Sequence, residues 1–194
     1  MAASLADCGL VTRERQTAPD PATPVQKMTA SPENPDSVVL ADFNARLDKY
    51  IKFQRGVAKD SLKLETTTSS GDISAAEEVL AAKIQALRKN ARRGDIFSPP
   101  VAAMFRRLIA PELRGKDGPE TKATIAGHDA PPAVPLKVNA NYPAAAPLPT
   151  VPPNILARLP QLPQDVEYRI VAKHLILRDV DANIIVDYIR NAIR

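Results

Sequence analysis

Five residues near the C-terminus, Asp179-Val180-Asp181-Ala182-Asn183, have the types and spacing of the first ligands in a calcium-binding EF-hand loop. In that loop, alternate oxygens point inward to the ion, the sixth position is glycine and the twelfth is glutamate. This chain has Ile184 and Arg190 at those two positions. Because the turn-forming glycine and the bidentate ligand are both missing, we assign no metal ligand. The run is interpreted as a turn whose short side chains hydrogen-bond the local backbone.

Candidate catalytic residues are few. His174 follows Lys173 and is interpreted as an exposed turn residue, since no serine or cysteine nucleophile occurs in a recognisable context. Asp179 and Asp187 have the type needed for a carboxylate pair, but nothing in the sequence brings them together. Glycine-rich phosphate loops and the HExxH, CxxC and GxSxG motifs are absent from the sequence. We therefore predict that the protein is not an enzyme and holds no cofactor; an enzyme would need a pocket that joins His174 to a buried carboxylate.

Positive charge is concentrated in two windows. Residues 46–63 contain six Lys or Arg against two Asp, and residues 83–93 contain five against none. With a net charge of +4, this permits binding to nucleic acid, lipid head groups or a cell-wall polymer, although solvated helix faces are the favoured explanation. The candidate contacts with an anionic surface are Arg46, Lys49, Lys52, Arg55, Lys83, Arg88, Lys89, Arg92 and Arg93.

The single cysteine, Cys8, excludes an intramolecular disulfide and a zinc cluster. No stretch approaches the roughly 18 apolar residues of a membrane span, and no signal peptide is visible at the N-terminus. Residues 16–24 nevertheless have the polar, proline-rich composition of a segment that follows the cleavage site in an exported bacterial protein. We therefore expect a periplasmic or secreted address; a cytoplasmic address is the alternative.

Proline divides the chain into regions that differ in their capacity to fold. Five of the 19 prolines lie at 19–35 and fourteen at 99–163, whereas residues 36–98 and 164–194 have none. We predict a disordered segment (1–35), a helical region (36–113), a flexible and then proline-rich linker (114–163) and a small β-module (164–194). Aromatic residues make up only 4% of the chain, so the core is expected to consist mainly of Leu, Ile, Val and Ala.

The helical region is predicted to form an antiparallel helical hairpin and a short third helix. The first helix should begin with a cap at Asp36 or Ser37 and end near Leu64, before a turn at 66–71. The second should begin at the capping box Ser74-Ala75-Ala76-Glu77, and Gly94 should follow its last turn. Ser98-Pro99-Pro100 should open the third helix, and Pro111 should stop it. The predicted apolar faces are Leu40, Phe43, Leu47, Tyr50, Ile51 and Val57; Leu80, Ile84, Leu87 and Ala91; and Val101, Met104, Phe105 and Leu108.

The linker is predicted to be mobile at residues 115–127 and extended at 131–163. Within it, residues 134–138 could add an edge strand, and Asn154 could cap one helical turn through Arg158. Three PxxP spacings in this stretch are interpreted as parts of a stiff spacer that packs across the folded regions, rather than as ligands for an aromatic groove.

The C-terminal module reads as strands. Apolar residues alternate from Val166 to Ala172, and a turn at Lys173-His174 would pair Ala172 with Leu175. After a break at residues 179–183, a third apolar run spans 184–189. We predict a three-stranded antiparallel meander, with a two-stranded hairpin and a bulge around Asp181 as the alternative. The fold class is therefore α+β.

One family resemblance rests on this module. Leu159-Pro160-Gln161-Leu162-Pro163, Glu167-Tyr168-Arg169-Ile170-Val171, Leu175-Ile176-Leu177-Arg178-Asp179-Val180 and Ala182-Asn183-Ile184-Ile185-Val186-Asp187 resemble the C-terminal module of small exported bacterial proteins of unknown function. The resemblance implies a periplasmic or secreted address, and the family has no assigned activity to carry over. A weaker likeness is to the C-terminal hairpin of periplasmic nickel and cobalt homeostasis proteins of the RcnB type, whose metal role would need a His-rich or Cys-rich tract that this chain lacks.

These observations lead to three functional hypotheses. The first is a non-catalytic envelope or secreted protein that acts through protein contacts, with itself or with another protein, at the helical face or the sheet edge. The second is binding of an anionic polymer or surface through the basic helices, which added salt would weaken steeply. The third is an accessory role in periplasmic metal homeostasis. No small-molecule substrate is indicated.

Overall fold

The computed structural model describes residues 34–62, 70–127, 136–143, 146 and 148–194. Of the segment predicted to be disordered (1–35), residues 1–33 lie outside this part of the chain, whereas Pro35 begins the first helix. The described residues form five helices followed by three strands, which confirms the predicted α+β class. No helix among them is long and apolar enough to cross a membrane. The elements are α1 (Pro35–Leu62), α2 (Ser70–Leu87), α3 (Pro99–Arg114), α4 (Gly118–Gly127), α5 (Pro153–Leu156), β1 (Val166–Val171), β2 (His174–Asp179) and β3 (Ile184–Ile189).

Helix α1 begins at Pro35, and its cap, Asn34, lies two residues before the first predicted cap. The carboxamide oxygen of Asn34 accepts a hydrogen bond from the backbone N–H of Asp36 at 3.1 Å, and the Asn34 carbonyl accepts one from the Ser37 hydroxyl at 2.6 Å. The predicted caps, Asp36 and Ser37, therefore lie inside the helix. The predicted face is buried except at Leu40, which is 36% exposed. Its buried members are Phe43, Leu47, Tyr50, Ile51 and Val57.

Helix α2 begins before the predicted capping box, so Ser74 lies inside it. It ends at Leu87, which is 66% exposed, and the predicted stripe is buried only at Leu80 and Ile84. Val57 packs with both of these residues. Helices α1 and α2 therefore pack on one another as a helical hairpin. Of the predicted turn at 66–71, residues 66–69 lie outside the described residues and 70–71 belong to α2.

Helix α3 begins at Pro99 as predicted, but Pro111 does not stop it. The helix continues to Arg114, because a proline so close to the helix end removes only one hydrogen bond of the last turns. Val101, Met104 and Phe105 are fully buried as predicted, whereas Leu108 is only half-buried. Ile109 and Leu113 complete the buried face.

The predicted mobile stretch at 115–127 is wrong, because Gly118–Gly127 forms α4, which packs on α3. A Cβ atom at Gly118 would lie 2.5 Å from the Leu113 carbonyl oxygen, so glycine permits this close approach. The predicted turn near Asn154 is present as α5, but Asn154 does not cap it. Its side-chain nitrogen instead donates to Thr121 Oγ1 at 2.9 Å and to Glu112 Oε2 at 3.2 Å.

The strands form the predicted antiparallel meander in the order β1-β2-β3. The first turn is one residue earlier than predicted: Ile170 pairs with Leu175, and Ala172 adopts a left-handed conformation with φ +52°. The second turn has the predicted chemistry, since Asp179 Oδ1 accepts a hydrogen bond from the Ala182 N–H at 2.8 Å. A bulge lies at Val186, which has no partner residue on β2, rather than around Asp181.

The two faces of the sheet are covered by different parts of the chain. The helix-facing side packs on α1, α3 and the buried residues Val151, Ile155 and Leu159 of the proline-rich segment, which thus packs across the fold as predicted. The outer face packs on Val138, Tyr142 and Ala146. At the edge of β3, residues 139–142 bond to its backbone, for example from the Ile185 N–H to the Ala140 carbonyl at 2.9 Å. The added edge segment therefore lies beyond the predicted residues 134–138, of which 134 and 135 are outside the described residues.

Candidate anion-binding surface

The bulge in β3 determines where Asp187 points. Two residues at a bulge oppose one on the partner strand, and this changes the alternation of side chains between the two faces. Val186 accordingly joins the helix-facing core, and the Asp187 carboxylate is fully buried among backbone N–H groups on that side. Burial raises the pKa of Asp187, and the hydrogen bonds from those backbone groups act in the opposite direction.

Asp187 holds the loop between α2 and α3. Its Oδ2 atom accepts hydrogen bonds from the N–H groups of Gly94, Ile96 and Phe97 at 3.1, 2.9 and 2.8 Å. Its Oδ1 atom accepts from the Tyr188 N–H at 2.7 Å. Gly94 has φ +97°, a conformation that side-chain-bearing residues rarely adopt, and this lets the chain curl around the carboxylate. The loop is thereby fixed against β3.

This loop brings Arg93 to the aromatic ring of Tyr188. The guanidinium carbon of Arg93 lies 5.9 Å from the ring centroid, and that of Arg190 lies 5.8 Å from it. Both arginines are exposed, whereas Tyr188 is only 6% exposed. Cation–π contacts at this range orient a guanidinium group without neutralising its charge. Two cations from separate segments therefore lie beside one ring.

Helix α3 adds further arginines at the same end of the molecule. Arg106 Nη2 donates a hydrogen bond to the Arg190 carbonyl at 2.9 Å, and its Nε atom is buried without a partner. Burial lowers the pKa of Arg106, and repulsion from Arg194 and Arg93 lowers it further. A pocket of about 440 Å³ opens beside it, with Arg107, Arg114 and Arg194 also in its wall. Arg107 forms an ion pair with Asp36.

We name five of these residues the arginine surface. None of the five forms an ion pair with a carboxylate in the part of the chain that the structure describes. They come from three segments: the loop after α2, helix α3 and the residues after β3. The members of the arginine surface are Arg93, Arg106, Arg114, Arg190 and Arg194.

Only Arg93 of the nine residues predicted from the sequence belongs to this surface. Arg46 pairs with Asp42 at 2.8 Å. Arg55 makes two 2.8 Å hydrogen bonds to the carboxylate of Asp165. The other six do not join the arginine surface. Arg88 lies 4.8 Å from the Tyr50 ring centroid, Lys83 is half-buried on α2, and Lys49, Lys52, Lys89 and Arg92 are exposed.

His174 and the buried Asp179, the other candidates for a chemical role, have separate hydrogen-bond partners. His174 begins β2 rather than lying in the turn, and its Nδ1 atom accepts a hydrogen bond from the Asn191 N–H at 3.1 Å. Burial and the nearby Arg190 lower the pKa of His174. Asp179, fully buried on the helix-facing side, accepts a 2.5 Å hydrogen bond from the Tyr50 hydroxyl. Burial raises the pKa of Asp179, although nothing in the sequence indicated it.

Neither buried aspartate thus pairs with the other or with His174. Asp179 is bonded to Tyr50 and Ala182, and Asp187 to backbone groups. Within the described ranges, no group of three His, Cys, Asp or Glu side chains could hold a metal ion. These contacts do not join His174 to a buried carboxylate.

Sequence reasoning missed four of the five members of the arginine surface. Arg106 and Arg114 lie in a helix with no strong local charge excess, and Arg190 and Arg194 follow the last strand. The absence of any acidic residue after Asp187 could have indicated unpaired positive charge in the last residues. It does not indicate that helix α3 packs beside them. Comparisons of the chain with protein-family models, with curated proteins and with solved structures find no match. The two family resemblances therefore stay predictions.

Proposed function

We propose that the protein is a non-catalytic binding protein that holds an anionic polymer on the arginine surface. The observation that carries this proposal is the convergence of five arginines, none paired with a described carboxylate, three of which line a pocket of about 440 Å³. An address in the bacterial envelope belongs to the same proposal. It is supported by the composition of residues 16–24 and by the resemblance of the C-terminal module.

Arginine suits this role because of its geometry. The planar guanidinium group presents a fork of donors that matches phosphate and carboxylate oxygens, and it is more weakly hydrated than an ammonium group. Arg93 and Arg190 are oriented by Tyr188, and Arg106 by the carbonyl of Arg190. Side chains that are already oriented lose less entropy when they bind. A polymer with regularly spaced anionic groups could contact several of them at once.

The first hypothesis from the sequence, action through protein contacts, has weaker support. The large apolar side chains that are exposed belong to separate elements, and isolated exposed apolar residues are ordinary in folded proteins. They are Val38 and Leu40 in α1, Val79 and Leu87 in α2, and Leu148 and Leu156. These apolar residues are not concentrated on one surface in the way that the positive charges are concentrated on the arginine surface. A role in metal homeostasis has no supporting side-chain group among the described residues.

The test compares two double variants that lose the same charge. Arg93→Ala/Arg114→Ala removes two members of the arginine surface, and Lys49→Ala/Lys52→Ala removes two exposed lysines from α1. Binding of a fluorescently labelled polyphosphate is measured by anisotropy at fixed, low salt. Since a hydrogen bond to a charged group contributes roughly 1.5–3 kcal/mol, the first variant should bind at least about tenfold more weakly. The second should change the affinity by less than about threefold.

An equal loss in both double variants would show that only net charge matters, and it would overturn the proposal. The conservative variant Arg93→Lys/Arg114→Lys separates charge from geometry. It should bind with intermediate affinity, because lysine keeps the charge and loses the fork of donors. Circular dichroism of each variant shows whether the fold is retained.

A further inference from the structure

A second and larger cavity lies between α4, the β1–β2 turn and the last residues of the chain. Its volume is about 850 Å³, which is within the range of small-molecule sites. Most of its wall is apolar, and the apolar side chains come from five parts of the chain. They are Ile125 and Ala126 of α4, Pro149, Ile170 of β1, Ala172 of the turn, and Ile193.

Three cations share this wall with the apolar residues. Lys122 projects from α4, Lys173 from the β1–β2 turn, and Arg194 from the C-terminal segment. No Asp or Glu lies among the described residues that line the cavity, and none of the three cations forms an ion pair with a described carboxylate. The described wall of the cavity is therefore mostly apolar and carries positive charge.

We propose that this cavity binds a free fatty acid. A small hydrophilic anion would pair with the cations but leave the apolar wall against water, and a neutral hydrocarbon would cover the wall but gain no attraction from the solvent-exposed cations. An alkyl chain with a carboxylate at one end satisfies both. The chain lies against Ile125, Ile170 and Ile193, and the carboxylate is bound by Lys122, Lys173 and Arg194.

This inference goes beyond the proposed function. It concerns a different ligand class and a different cavity, and Arg194 is the one residue shared with the arginine surface. The variant Arg93→Ala/Arg114→Ala touches neither the wall nor the cations of this cavity. Fatty-acid binding should therefore persist in that variant. Each of the two proposals can then fail without the other.

The experiment is a calorimetric titration of the full chain with sodium dodecanoate below its micelle concentration. Saturable binding of one equivalent is expected, and it should strengthen about threefold to fourfold for each methylene added from octanoate to dodecanoate. Dodecanol, which has the same chain without the charge, should bind at least about tenfold more weakly than dodecanoate. Lys122→Ala/Lys173→Ala should remove most of that difference.

A matched pair of tryptophan variants tests the location. Ala126→Trp fills the cavity from α4 and should abolish dodecanoate binding, whereas Ala103→Trp places the same side chain on an exposed position of α3 and should bind like the wild type. Equal binding by these two variants would overturn the proposal, and so would dodecanol binding as tightly as dodecanoate. Loss of binding in Arg93→Ala/Arg114→Ala would place the ligand on the arginine surface and would also overturn it.

Discussion

The arginines of α1 and those of the arginine surface carry the same charge but have different partners. Arg46 and Arg55 each contact a carboxylate, Asp42 at 2.8 Å and Asp165 through two bonds of 2.8 Å. Arg93 and Arg190 contact the ring of Tyr188 instead. The carboxylate closest to Arg190 in sequence, Asp187, is buried and faces the backbone of residues 94–97. Each of these two α1 arginines is neutralised by a carboxylate, and the members of the arginine surface are not.

The difference shows that a charge count along the sequence does not measure the charge available for binding. Asp187 accepts all of its described hydrogen bonds from backbone N–H groups, so it stabilises a loop rather than an arginine. Asp165 lies far from α1 in sequence, yet it pairs with Arg55 across the fold. A carboxylate therefore neutralises the cations that its geometry reaches, which need not be its neighbours in the chain.

Replacing Asp187 should have the largest effect on stability, because this carboxylate holds the loop that places Arg93 on the arginine surface. Asp187→Ala leaves the N–H groups of Gly94, Ile96 and Phe97 buried without an acceptor. Each buried unsatisfied donor costs about 1–3 kcal/mol, so the free energy of unfolding should fall by about 3–5 kcal/mol in urea denaturation. Asp187→Asn keeps one acceptor oxygen and should lose about half as much. A loss below about 1 kcal/mol for Asp187→Ala would contradict this role.

Glu167 provides an intermediate case on the outer face of the sheet. It accepts hydrogen bonds from Arg178 at 2.7 Å and from Arg169 at 2.5 Å. Burial opposes its ionised form, but these two arginines outweigh burial and lower the pKa of Glu167. Glu167→Gln should reduce the free energy of unfolding at pH 7 by about 1–3 kcal/mol, because Arg178 is left nearly buried without a counter-charge.

The stabilisation that Glu167 provides should decrease at low pH. Since the pKa of Glu167 is lower in the folded protein, its ion pairs stabilise the fold above the unfolded pKa of about 4.3. That contribution is lost as the pH falls through the folded pKa. The difference between wild type and Glu167→Gln should therefore shrink in acid. A difference that stays constant from pH 7 to pH 3 would show that packing, rather than charge, holds Glu167.

Asp165→Asn should have the smallest effect on stability and would make α1 resemble the arginine surface. Arg55 is largely exposed, so the melting temperature should fall by only about 2 °C. The freed guanidinium group should raise the affinity for polyphosphate slightly, by about twofold. The hydrogen bond from Arg55 lowers the pKa of Asp165, so this small stabilisation is also lost in acid. A decrease in polyphosphate affinity would contradict the comparison.

Local patterns predicted the elements whose signals lie within a few residues. The alternation from Val166 to Ile170 predicted the strand, and the proline pair at 99–100 predicted the start of α3. Competing local interactions explain most misses. Asn34 displaced Asp36 as the cap, and Gly118 allowed a helix to form where glycine and charge suggested mobility.

The candidate site was harder to predict because it depends on the tertiary structure. The apolar run at 184–189 conceals the bulge at Val186, since all six residues are buried. Without the bulge, the direction of Asp187 cannot be predicted, and neither can the placement of Arg93. Arg106 and Arg190 are 84 positions apart and meet through one side-chain to backbone hydrogen bond. No window along the sequence contains both.

The salt dependence of polyphosphate binding tests the central claim most directly. The logarithm of the association constant should fall linearly with the logarithm of the salt concentration, and each arginine that contacts a phosphate contributes about one to the slope. Arg93→Ala/Arg114→Ala should reduce the magnitude of the slope by about two, whereas Lys49→Ala/Lys52→Ala should leave it unchanged. Equal reductions in the two double variants, or a wild-type affinity independent of salt, would contradict the account.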